Sequence, residues 1–149
     1  MENKILVIGS GAREHAIVRA LDRSPHDKAL YCLASNINPG IADLCDEFTL
    51  DNINHPEIAT NYAKEVGADL AIIGPENPLS NGVADALWEA GVKVVGPKKD
   101  LAQIETSKAF ARDLLTEYNI PGGPKYQTFN SMYRVSEFLN DLGENYVVK

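Results

Sequence analysis

Short apolar runs alternate with helical stretches over the first two-thirds of the chain, and this alternation restricts the fold more than any other feature. The strand-like runs are residues 5–8, 29–33, 47–50, 70–73 and 93–95. Helical patterns lie between most of them, at residues 13–22, 56–66 and 81–90, with Ala16, Ile17, Ala20 and Leu21 forming an apolar stripe on the first. The strands are mostly apolar and free of internal proline, as expected when helices cover both faces of a sheet. The pattern predicts an α/β fold: a doubly wound parallel sheet with right-handed crossovers, ending near residue 97.

Composition narrows the function classes. The hydrophobic share of 44% is sufficient for a real core. The formal charge of −7 argues against a general nucleic-acid binder, which would show a basic stripe. Any anion site must therefore be local, built from backbone amides and a few placed cations. No apolar run approaches the ~20 residues needed to cross a bilayer, and no secretory signal stands at the start, so a cytoplasmic location is expected. Cys32 and Cys45 have neither metal-pair spacing nor a disulfide framework and are expected as buried thiols.

Beyond residue 97 the rhythm changes. Residues 98–103 read as a short helix and 105–118 as a longer one. Asn119-Ile120-Pro121-Gly122-Gly123-Pro124 is the best linker candidate, with protease nicking expected near Pro121–Pro124. A short strand at 125–129, a helix capped at Asn130 or Ser131 and a final strand at 146–149 are expected after it. That last piece is too small to be a stable domain and reads as the first part of something larger.

The glycine turn after the first strand, Gly9-Ser10-Gly11-Ala12-Arg13, aims backbone N–H groups at one point and suits an anion, most often a phosphate. It is a poor dinucleotide fingerprint. The third glycine position is taken by Glu14, and the second strand ends Leu33-Ala34-Ser35-Asn36, with no carboxylate for a ribose hydroxyl. Glu14 reads either as a carboxylate favoured by the helix dipole or as a ligand group. Arg13 reads as a solvated cation or a phosphate partner, and His15 as a packed, capping or catalytic residue.

Ligands of open α/β sheets bind beyond the carboxyl ends of the strands. Two further loops should gather there, Ser35-Asn36-Ile37-Asn38-Pro39-Gly40 and Gly74-Pro75-Glu76-Asn77-Pro78-Leu79-Ser80. Pro75 and Pro78 would stiffen the second loop around Glu76. That carboxylate could accept from sugar hydroxyls or an amine, or simply pair with a neighbouring cation. Amides for a phosphate beside a polar, carboxylate-bearing pocket fit a phosphorylated sugar.

Gly9-Ser10-Gly11-Ala12-Arg13-Glu14-His15-Ala16, Gly74-Pro75-Glu76-Asn77-Pro78-Leu79, Val95-Gly96-Pro97, Ile104-Glu105-Thr106-Ser107-Lys108-Ala109-Phe110 and Val147-Val148-Lys149 occur in that order. Together they resemble the phosphoribosylamine–glycine ligase (glycinamide ribonucleotide synthetase) family, over nearly the whole chain. The Asn38-Pro39-Gly40-Ile41-Ala42 loop is similar to the family's glycine-bearing second loop.

The resemblance implies an ATP-grasp ligase of purine biosynthesis joining 5-phosphoribosylamine and glycine with ATP, giving glycinamide ribonucleotide, ADP and phosphate. It implies a Rossmann-like, pre-ATP-grasp domain over residues 1–104 and the incomplete start of an ATP-grasp region over 105–149, with the linker near 119–124. Gly9, Ser10, Gly11 and Arg13 match the loop near the substrate phosphate, and Glu76 the carboxylate of the same pocket. Glu14, Asn38, Gly40 and Asn77 complete the expected substrate-binding set. Lys108 and Lys149 match lysines that reach the phosphates of ATP.

Ala12 stands where the family usually has a second glycine. The remaining machinery, including the ligands of magnesium or manganese, would lie beyond residue 149. These residues alone are therefore expected to be inactive, with no metal site, and to have small-molecule partners rather than nucleic acid or membrane. The alternatives are another ATP-grasp purine enzyme or carboxylase, or a non-catalytic phosphosugar- or nucleotide-binding module.

Overall fold

The computed structural model describes residues 2–144 and 146–148. The chain forms two compact units, Met1–Thr106 and Ser107–Lys149.

The first unit holds a five-stranded sheet of β1 (Asn3–Ile8), β2 (Lys28–Ala34), β3 (Glu47–Leu50), β4 (Leu70–Ile73) and β5 (Lys93–Val95), in the order β3-β2-β1-β4-β5. Every neighbouring pair is parallel, with Ile5 of β1 opposite Leu30 on one side and Leu70 on the other. Between the strands run α1 (Ala12–Asp22), α2 (Pro39–Ala42), α3 (Pro56–Val66), α4 (Glu76–Ser80) and α5 (Val83–Glu89), and α6 (Lys99–Thr106) follows β5.

The period of two along β1 divides the core. Leu6 and Ile8 enter one cluster with Ala59, Tyr62 and Ala63 of α3 and Val83, Ala84 and Leu87 of α5. Ile5 and Val7 enter the other with Val18 of α1 and Ile41 of α2. Both faces of the sheet are therefore covered, which is why β1 tolerates four consecutive buried apolar residues. The expected doubly wound parallel α/β sheet is what forms.

Three local readings differ. The helix expected over 81–90 is α5 alone, because Gly82 adopts φ +83° and separates it from α4. That short α4 occupies the stretch read as a proline-stiffened loop, and α2 likewise replaces part of the second loop. The helix expected over 105–118 is broken at Ser107. Its extended backbone (φ −122°, ψ 106°) and its side chain, which accepts from the Phe110 N–H, start a new helix, α7 (Lys108–Glu117).

The second unit contains α7 and α8 (Val135–Leu142), and none of its described residues is fully buried. Phe129 and Phe138 meet edge to face at 5.8 Å, and Tyr126 donates to Asp113 at 2.7 Å. The strand expected at 125–129 is not formed, nor is one at the described residues 146–148. A strand needs a neighbour for its amides, and no ladder is present in this unit among the described residues. Ser131 does not cap α8; its hydroxyl accepts from the Tyr133 N–H and closes a turn instead, so the helix starts at Val135.

Candidate functional site

The strand order reverses at β1, whose chain continues to β2 on one side and whose other neighbour is β4. The carboxyl ends of these three strands place the three expected loops together. Two glycines finish the ladder there: the Gly9 N–H donates to Leu33 O at 2.9 Å, and the Gly74 N–H donates to Ile8 O at 3.1 Å.

Gly9 has φ +123°, a conformation that turns the chain from β1 toward α1 and disfavours a side chain. Gly11 then caps α1, and its N–H donates to Glu14 Oε2 at 2.5 Å. Glu14 is the third residue of the helix, reaching back to the cap as in the acidic half of a capping box. The first N–H groups of a helix lack intrahelical acceptors, so the amides of Ala12 and Arg13 stay at the helix head for a ligand or solvent. The cradle read from the glycine turn is thus partly filled by the chain's own carboxylate.

Asn38 ties the second loop to the first. Its side-chain amide donates to Ser10 O at 2.9 Å, and its Oδ1 accepts from the Gly40 N–H at 3.1 Å. Gly40 lies under the imidazole of His15; a Cβ there would stand 2.5 Å from Cε1 and Nε2. The packed reading of His15 describes its place in the structure.

The third loop brings Glu76 to the start of α4. Arg13 Nη2 lies 3.4 Å from Glu76 Oε2, with both side chains well exposed. The Glu76 carboxyl is held below its ordinary range, first by its own backbone N–H at the helix head and then by Arg13. Asn77, next in α4, is exposed, and its backbone carbonyl accepts from Ser80 and Asn81. Gly9, Ser10, Gly11, Arg13, Asn38, Gly40, Glu76 and Asn77 therefore share one edge of the first unit.

Glu14 shares that edge but is placed differently from the expectation of a substrate contact. Its residue is 3% exposed, and its carboxylate points into the backbone of the loops, because the Gly11 amide draws it inward. Of the two expected ATP-binding lysines, Lys108 is exposed at the first position of α7. Lys149 lies outside the described residues. Among the described residues, no group of three or more His, Cys, Asp or Glu side chains is arranged to hold a metal ion, and no helix is long and apolar enough to cross a membrane.

One contact escaped the sequence reading. Cys32, buried in β2, places its Sγ 3.5 Å from the carbonyl oxygen of Gly9, directly beneath the turn. The neighbouring thiol of half-buried Cys45 and burial both raise the Cys32 pKa, Cys45 being the larger cause. Position 32 alternates correctly for a core residue, so nothing local distinguishes it from any other buried thiol.

Residues 3–105 match the family described as Phosphoribosylglycinamide synthetase, N domain. A phosphoribosylamine–glycine ligase of Methanosarcina barkeri is 48% identical over 141 residues, covering 95% of this chain and 33% of that protein. The corresponding ligase of Methanocaldococcus jannaschii is 46% identical over 142 residues, covering 95% and 32%. The chain thus spans about a third of the length of these curated relatives.

Among solved structures, phosphoribosylglycinamide synthetase from Anaerococcus prevotii is similar with a TM-score of 0.68 at 15% identity, over 95% of this chain and 35% of that one. An ADP complex of N5-carboxyaminoimidazole ribonucleotide synthetase is similar with a TM-score of 0.74 at 15% identity, over 95% and 36%. At such identities the likeness establishes the fold, and the family rests on the sequence matches. On those matches, the chain belongs to the phosphoribosylglycinamide synthetase N-domain family.

Proposed function

We propose that these residues are the substrate-side domain and the opening of the ATP-grasp region of a phosphoribosylamine–glycine ligase. That enzyme joins 5-phosphoribosylamine and glycine with ATP to give glycinamide ribonucleotide, ADP and phosphate in purine biosynthesis. The observation that carries the reading is the pairing of exposed Arg13 and Glu76 at the heads of two helices on the switch-point edge. A cation beside free helix-head amides suits a phosphate, and a carboxylate across from it suits the hydroxyls or amine of the same sugar.

In this reading the ribose phosphate lies at the head of α1, against the amides of Ser10, Ala12 and Arg13 and the Arg13 guanidinium. Glu76 accepts from the sugar, while Asn77, Asn38 and Gly40 line the pocket. A glycine carboxylate oxygen attacks the γ-phosphorus of ATP and ADP leaves. The amine of phosphoribosylamine then attacks the acyl carbon, and phosphate departs with the electrons of the broken C–O bond. Lys108 and Lys149 supply positive charge toward the phosphates of ATP, where phosphoryl transfer concentrates negative charge.

Residues 105–149 would begin the ATP-grasp region, with 119–124 as a linker. Magnesium or manganese would accompany ATP; the described residues offer no set of ligands for it, so those ligands are expected elsewhere. A cytoplasmic enzyme acting on small molecules fits this chemistry, and the 149 residues alone are expected to lack ligase activity.

The test is turnover by the full-length protein. ADP release that requires both glycine and 5-phosphoribosylamine, with formation of the amide product, supports the assignment. ADP release independent of glycine overturns it. The fold likeness to N5-carboxyaminoimidazole ribonucleotide synthetase makes a related carboxylating enzyme the second reading; ADP release driven by bicarbonate in place of glycine would favour it.

A further inference from the structure

Glu14 is the only buried charged or polar side chain of the core among the described residues, and only half of its carboxylate has an evident partner. Oε2 accepts from the Gly11 N–H, while Oε1 is buried with no hydrogen-bond partner. That uncompensated oxygen is costly to bury, so its position calls for an explanation.

The surrounding backbone supplies one. A Cβ at Gly74 would collide with Glu14 Oε1. One at Gly9 would stand 2.8 Å from Glu14 Cγ and 2.9 Å from Pro75 Cδ, and one at Gly11 would stand 2.8 Å from Glu14 Oε2. Three glycines on two loops thus leave the space that this one side chain fills. The carboxylate is wedged between the turn after β1 and the turn after β4, the two turns that carry Arg13 and Glu76. In a dinucleotide-binding turn this helix position is a glycine that lets helix and strand approach; here the carboxylate occupies the gap.

We propose that Glu14 is a positioning residue: it does not touch the ligand, but fixes the Gly9–Gly11 turn against Gly74–Pro75 and so sets the spacing between Arg13 and Glu76. The part of this that concerns ligand binding rests on the phosphosugar reading above; the part that concerns the loops does not.

Two readouts on the 15N-labelled 149-residue chain separate these parts: the amide resonances of Gly11 and Gly74, and titration with ribose 5-phosphate. Glu14→Ala is expected to shift both resonances and to weaken ribose 5-phosphate binding at least tenfold. Glu14→Gln keeps the volume and an acceptor for Gly11, and is expected to stay within about threefold of the parent. Wild-type affinity in a folded Glu14→Ala chain overturns the proposal.

Gly74→Ala provides a second route if Glu14→Ala does not fold. Its Cβ should push the carboxylate from its seat and shift the Gly11 resonance on the other loop; an unmoved Gly11 resonance overturns the proposal. If the parent chain itself does not bind ribose 5-phosphate, the phosphosugar reading has failed. The resonances alone then decide whether Glu14 positions the loops.

Discussion

The guanidinium of Arg13 lies 3.4 Å from the carboxylate of Glu76, joining the head of α1 to the head of α4 across the sheet's switch point. The two residues are held by different strands, and no feature of either segment alone sets their separation.

The pair gives a pH prediction with a definite sign. The folded-state pKa of Glu76 is depressed, first by its backbone N–H and then by Arg13. Its contribution to stability is therefore present above the unfolded carboxyl pKa and is lost as pH falls through the folded one. Because both side chains are well exposed, the effect on total stability is small. Arg13→Ala removes the second cause but not the first, so the Glu76 midpoint in a carboxyl 13C titration should rise only part of the way to its ordinary value. An unchanged midpoint would show that the pair is not formed in solution.

Gly9 and Gly91 allow strain and crowding to be separated. Both have positive φ, +123° and +85°, but a Cβ at Gly91 meets nothing within 4 Å, whereas one at Gly9 meets Glu14 and Pro75. Gly91→Ala should cost about 1 kcal/mol for the left-handed conformation alone. Gly9→Ala adds overlap to backbone strain and should cost roughly 3 kcal/mol or more. Equal losses in urea denaturation would remove the packing argument for the Gly9 turn.

Asn38 holds two loops with one side chain, donating to Ser10 O and accepting from the Gly40 N–H. Asn38→Ala should destabilise by roughly 1–2 kcal/mol, the cost of an N-cap together with a lost bridging hydrogen bond. Asn38→Asp keeps the acceptor for Gly40 but sets a carboxylate against the Ser10 carbonyl, so it should not recover that loss at neutral pH. Full recovery with aspartate would mean that capping, and not the bridge to Ser10, is what matters.

The cysteines should differ in reactivity. Cys32 is buried, and its thiol pKa is raised by the neighbouring Cys45 thiol and by burial. The Cys45 pKa is lowered by the neighbouring Cys32 thiol, and this residue is only half-buried. Since the thiolate is the reactive species, an aromatic disulfide reagent should label Cys45 in the folded chain and Cys32 only on unfolding. Rapid labelling of both, or of Cys32 first, would contradict this order.

Local pattern was a sound guide to the strands, but not to the buried face of α1: Ala16 and Ala20 of the expected apolar stripe are exposed, and the helix buries Glu14 and Val18 instead. The runs at 47–50, 70–73 and 93–95 coincide with β3, β4 and β5, and those at 5–8 and 29–33 fall inside β1 and β2. β1, covered on both faces, ends in four consecutive buried apolar residues, so its position shows in composition; the edge strands β3 and β5 contain no buried residue. Pattern failed where geometry depends on a single backbone angle or on a remote partner. Gly82 ends one helical segment and begins another through its φ of +83° alone. Residues 125–129 have strand-like composition but no neighbour to pair with among the described residues of their unit.

The edge that gathers the site was legible because loops after the strands of a parallel sheet must emerge on one side. The roles within it were less so. Glu14 and Arg13 are adjacent in the first turn of one helix and equally polar, yet one is buried under the loops and the other exposed. Adjacent helical residues point in directions about 100° apart, and only the packed neighbours determine which direction is interior.

The sequence by itself determined the alternation of strands and helices, the parallel sheet, the glycine turn and the membership of three loops in one edge. These follow from hydrophobic period and backbone freedom, which are local. The tertiary structure alone decided that Arg13 faces Glu76, that Asn38 bridges to Ser10, and that Glu14 fills the space left by Gly9, Gly11 and Gly74. Those relationships join residues far apart in the chain, and their distances exist only once the strands that carry them have paired.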